Sequence, residues 1–149
     1  MREKINAALK LAIKAQEKRR MSTLRLMNAA IEDRVIAARS TGQEGLSEAE
    51  ILEILAKMVK QRRESIETYE QAGRMELAQQ EQEEIDIIQS FMPKQMSEEE
   101  TRAACKEVVG ELRCESLKDM GRTMGTLKER YAGQMDFAKA SQIVKELLK

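Results

Sequence analysis

Apolar residues return every three or four positions along nearly the whole chain, the period of an amphipathic α-helix. A first helix is predicted over about residues 2–18, with Ile5, Leu9, Ala12 and Ile13 on one stripe. A second runs from about Ser22 to Arg39 through Leu24, Met27, Ile31, Val35 and Ala38, and stops in the turn-forming "STGQEG". Ser47 and Glu50 have the spacing of a capping box, in which each satisfies a free N–H of the first helical turn. They open a third helix carrying Leu52, Leu55, Val59, Ile66 and Tyr69. Gly73 ends or bends that helix, and a fourth over about 74–91 carries Leu77, Ala78, Ile85, Ile88 and Phe91.

The clearest boundary is "FMPKQMSEEE". Pro93 disfavours helix at Met92, and Ser97 with Glu100 forms a second capping box. Three shorter helices follow. One spans about 98–112 with Ala104, Cys105, Val108, Val109 and Leu112; one is capped by Ser116 with Asp119 and ended by Gly133; one starts at Asp136 and buries Phe137, Ala140, Val144, Leu147 and Leu148. The expected fold is all-α: a four-helix N-terminal bundle over 1–92, a linker at 93–96 and a three-helix C-terminal bundle over 97–149.

Composition agrees with this pattern. One proline and 3% aromatics leave few helix breakers and few strand formers, while 42% hydrophobic residues can fill a core. The net charge is zero but unevenly spread. Residues 1–39 hold 10 basic against 4 acidic side chains, 40–100 hold 6 against 15, and 101–149 hold 10 against 7. Such a layout points to complementary packing or a polar partner. "MREKINAALK" does not read as a secretory leader and no run is long enough to span a membrane, so a cytoplasmic protein is expected. Cys105 and Cys114 lie nine residues apart, roughly 13 Å along a helix and too far for a disulfide, which suits a reducing compartment.

The search for chemistry returns little. Without histidine there is no Ser–His or Cys–His nucleophile and no H-E-x-x-H metal site, and no glycine-rich phosphate loop is present. No catalytic residue, metal site or cofactor is assigned. The acidic "EQEEID" (Glu81, Glu83, Glu84, Asp86) reads as a solvated face. Lys10, Lys14 and Lys18 repeat every four residues as a basic ridge, either merely solvated or able to follow a phosphate backbone. Arg62 and Arg63 are placed to pair with Glu67. The ten methionines read mainly as core filling, Met27, Met120 and Met124 among them.

"LKLAIKAQEKRRMSTLRLMNAAI", "QAGRMELAQQE", "FMPKQMSEEE" and "LKDMGRTMGTLKERYAG" together resemble the GatB/YqeY family over nearly the whole chain. The resemblance implies two helical bundles, and similarity to the C-terminal tail of the B subunit of tRNA-dependent amidotransferase, a segment that engages tRNA. Lys118, Gly121, Arg122, Gly125 and Lys128 match the motif region of that tail. The family is also described as having carbon–nitrogen ligase activity with glutamine as amido donor, but the ATP- and metal-binding domain of that subunit has no counterpart here. Gly121 and Gly125 stand on adjoining turns of one helix, where each costs about 1 kcal/mol against alanine. The gap they leave admits either a neighbouring helix of the same bundle or an RNA strand neutralised by Lys118, Arg122 and Lys128. The expected function is therefore a non-catalytic module that binds tRNA or a tRNA-handling enzyme. The alternatives are a glutamine-dependent ligase completed by a partner and a protein–protein adaptor. Oligomeric state is open.

Overall fold

The structure, a computed structural model, describes residues 1–149. Seven α-helices and one 3₁₀ turn make up the chain, with no strand. The helices are α1 (Arg2–Ala15), α2 (Lys18–Ser40), α3 (Glu48–Gln71), α4 (Met75–Gln89), α5 (Glu98–Glu111), α6 (Met120–Arg130) and α7 (Phe137–Leu147); the 3₁₀ turn, Leu117–Asp119, leads into α6. The chain divides into two compact units, Met1–Pro93 and Lys94–Lys149.

The starts of α3, α5, α7 and the 3₁₀ turn are fixed by caps legible in the sequence. Ser47 accepts the Glu50 N–H while Glu50 returns to the Ser47 N–H, and Ser97 with Glu100 repeats the arrangement at α5. At the 3₁₀ turn Ser116 Oγ accepts from the Lys118 N–H while the Asp119 carboxylate accepts from the Ser116 N–H, and the Asp136 carboxylate accepts from the N–H groups of Ala138 and Lys139. Gly73 is a C-terminal stop: its φ of +73° lets the Arg74 N–H close back on Tyr69 at 2.8 Å. The break between α1 and α2 falls elsewhere than expected. α1 ends at Ala15, not near residue 18, because Gln16 takes a left-handed φ of 58° and the Glu17 N–H closes on Ala12 at 3.0 Å. α2 therefore begins four residues earlier than Ser22.

In the first unit, α1 packs on α2, α2 on α4, and α3 along α4. Ile5, Leu24, Met27, Ile31, Leu55, Ile85 and Ile88 are almost fully buried there. Each such side chain contributes roughly 1.5–3 kcal/mol through lost apolar contact with water. Ile13, expected on the inner stripe of α1, is 44% exposed, because Ile5 and Ala12 set the buried direction of that short helix. The second unit closes around Cys105, Val108, Leu127, Ala140 and Val144. Met96 donates its N–H to Gln134 at 2.8 Å and Gln95 its side-chain amide to Gly133 at 2.6 Å, tying the start of this unit to the turn after α6. Both cysteines are free, with Cys105 buried and its thiol pKa raised by burial.

Candidate functional site

The sequence marks α6, and the fold determines which way it faces. Thr123 and Leu127 turn fully inward, and Met120 and Met124 are half-buried beside them. Lys118, Gly121, Gly125 and Lys128 are all exposed. Gly121, Gly125 and Lys128 follow the i, i+4, i+7 spacing of one helix face, and Lys118 precedes them at the mouth of the helix. A methyl group placed on either glycine would meet no atom within 4 Å. No neighbouring helix of the unit fills the gap, so the close-packing explanation of the glycine pair is wrong. The missing side chains open outward.

Arg122 departs from its expected role. Its guanidinium donates to the Leu112 carbonyl at 3.0 Å and to the Asp119 carboxylate at 3.2 Å, with Cys114 Sγ at 3.8 Å. It therefore joins the C-terminal end of α5 to the start of α6. Asp119 is doubly employed, since it also accepts from the Glu115 N–H at 2.9 Å, and these backbone hydrogen bonds lower its pKa. Arg122 holds the α6 mouth in shape, while Lys118 and Lys128 are the cations left on the outward face. Arg130 is likewise engaged, by Glu111 at 2.7 Å. Glu129 is exposed near this face and sets a negative limit to it.

The other basic candidate does not survive as a ridge. Lys10 and Lys14 lie on α1, but the left-handed turn at Gln16 puts Lys18 on α2. A repeat of four residues aligns side chains only along an unbroken helix. All three lysines are exposed, and Leu11 among them is 68% exposed.

The acidic run is only partly a solvated face. Glu84 is 16% exposed and accepts from Arg62 Nε at 2.9 Å, with Arg62 itself 13% exposed; Arg19 approaches Glu84 at 3.8 Å and Glu83 at 3.5 Å. Arg62 thus bridges α3 to α4 in place of the expected pairing with Glu67. Arg19 Nε makes no hydrogen bond despite its 3.5 Å approach to Glu83, so that contact is charge proximity alone. Burial and the neighbouring Glu84 raise the pKa of Glu81. Nothing in the sequence spacing signalled a pair 22 residues apart; its only sign is an arginine on α3 and a glutamate on α4 beside apolar stripes.

A family model described as "Yqey-like protein" matches residues 2–148. The chain is 36% identical over 84 residues to "Altered inheritance of mitochondria protein 41, mitochondrial" of Eremothecium gossypii, which takes in 56% of this chain and 44% of that protein. It is 28% identical over 86 residues to an uncharacterized protein of Schizosaccharomyces pombe, covering 58% of this chain and 67% of the relative. The match thus spans less than half the length of the Eremothecium protein. No helix is long and apolar enough to cross a membrane.

Proposed function

Because this chain belongs to the Yqey-like protein family, we propose that it is a non-catalytic helical module that binds tRNA along the outward face of α6. One observation carries the reading: two glycines interrupt an exposed helix face with open space beyond both. A helix accepts that loss of stability where something must approach its backbone more closely than a side chain permits. Lys118 and Lys128 stand at the two ends of the bare segment, placed to neutralise phosphates on either side of a strand crossing it. Contacts of this kind hold the sugar–phosphate chain and leave the bases unread. Tyr131, half-buried at the end of α6, offers little platform for stacking.

The test is filter binding of tRNA to the full chain and to a Gly121→Leu/Gly125→Leu variant. Both positions are open, so helix content is retained while the approach is blocked. An affinity loss of about tenfold or more is expected. Unchanged affinity would rule out this face. A second reading, docking of a tRNA-handling enzyme, draws on Leu117, which lies 48% exposed beside Lys118. Nuclease treatment separates the two, since a protein contact survives it and a contact bridged by RNA does not.

A further inference from the structure

A helix that is apolar on two sides is ordinarily covered on two sides, and α2 is such a helix. Its inner stripe, Leu24, Met27, Ile31, Val35 and Ala38, is buried within the first unit. Two of its polar residues are taken up by α1: Asn28 bonds Asn6 at 3.0 Å and Glu32 bonds Arg2 at 2.9 Å. The remaining side carries Leu26, 47% exposed, and Ile36, 56% exposed, with Ala29, Ala30 and Ala37 around them. Next to Leu26 and Ile36, which do not line it, Ala30 and Ala37 border a groove of about 510 Å³ between α2 and α3, left free because α3 packs chiefly along α4.

The α2 wall of the groove consists of Ala30, Asp33, Arg34 and Ala37. Run against itself, that series is symmetric about the Asp33–Arg34 peptide bond. In an antiparallel pair with a two-fold axis at that point, Ala30 meets Ala37 and Asp33 meets Arg34, each contact occurring twice. The α3 wall adds Ile54 and Met58 as apolar floor and Glu53 and Lys57 as one further charge of each sign. We propose that this groove is a self-association surface whose occupant is α2 of a second copy of the chain. A two-fold interface has to be complementary to itself, and a surface with two acids, two bases and small residues at the crossing meets that condition. A groove shaped for a phosphate chain or a polybasic segment would carry an excess of one sign. The side chain of Asp33 makes no hydrogen bond or ion pair within its own chain, and that of Arg34 has only its charge influence on Glu50.

Sedimentation equilibrium of the full chain tests the pairing with Asp33→Arg, Arg34→Asp and the D33R/R34D double variant. Both positions are exposed, so circular dichroism should show unchanged helix content in all three. The wild-type chain is expected to dimerise. Each single reversal sets like charges face to face and weakens the dimer by about tenfold or more. The double variant restores it, because the order of charges is merely inverted. A wild-type chain that stays monomeric up to about 1 mM overturns the proposal. So does a dimer that neither reversal weakens, a double variant no stronger than the singles, or a monomer that uses this face for a different protein.

Discussion

Glycines of this chain do opposite work depending on backbone angle, and the difference is measurable. Gly125 lies in ordinary helix with open space where a side chain would stand. Gly125→Ala should therefore raise stability by about 0.5–1 kcal/mol in urea unfolding of the full chain followed by helicity. Gly73, at φ +73°, should lose about 1–2 kcal/mol on the same substitution, because a Cβ is disfavoured in left-handed backbone. A destabilised Gly125→Ala chain would mean that the glycine serves the fold after all. The identity and spacing of Gly121 and Gly125 were legible in the sequence; what faced them was not, since outward and inward orientation depend on how α6 rolls onto α5 and α7. Arg122 carries the same lesson. Its charge suggested a ligand for phosphate, yet the α5 carbonyl it reaches is ten residues away and visible only once the chain is folded.

At the scale of single helices, starts were easier to read than contacts. Ser47, Ser97 and Asp136 each announce an α-helix, because the cap is a local bond between residues two or three apart, whereas Ser116 caps only the 3₁₀ turn and α6 starts at Met120 without a side-chain cap. The end of α1 was missed because Gln16 takes a conformation that usually selects glycine or asparagine, and no turn-forming cluster marks it. The Arg62–Glu84 bridge was missed because it joins two helices. Its partners are largely shielded from water, and Arg62→Ala should cost about 2 kcal/mol by leaving Glu84 without its strongest partner; a change below a few tenths would show the bridge to be idle.

The capping carboxylates also give the molecule an acid limit. Hydrogen bonds from Gln43 and Ser47 lower the pKa of Glu50, and those from Ser97 lower that of Glu100. A depressed folded pKa supplies stability that is complete above the unfolded value and fades as pH falls through the folded one. Glu81 works in the opposite sense. Its raised pKa favours the protonated folded form, so its contribution is present at low pH and lost as pH rises through the folded value. The urea midpoint should fall between about pH 6 and pH 3, and Glu100→Gln should flatten that fall. Glu81→Gln should raise the midpoint at neutral pH. A Glu100→Gln chain as acid-sensitive as the wild type would contradict the capping assignment.

For the molecule as a whole, charge proves more local than the count along the sequence suggested. Once the three glutamates at the start of α5 are included, Lys94–Lys149 holds 11 basic and 10 acidic residues, so this unit is not basic in bulk. Several of its cations are tied down by Glu111, Asp119 and Glu146. On the proposed reading, attraction for a polyanion comes from a few unpaired lysines beside a bare stretch of helix, a weaker and more strictly placed signal than a general positive surface. The all-helical character was legible because helical periodicity runs through nearly every segment. The exposed direction of α6, and the outer face of α2, depend on packing between segments distant in sequence.

The most direct test of the RNA-binding account is the slope of log affinity against log salt for tRNA. It should be measured on the full chain and on a Lys118→Ala/Lys128→Ala variant. Each phosphate contact releases counterions, so the wild-type affinity should fall steadily with salt, and removing two contacts should flatten the slope by roughly 1.5. A wild-type affinity indifferent to salt, or a slope unchanged in the variant, would contradict the assignment of α6 as the surface that holds RNA.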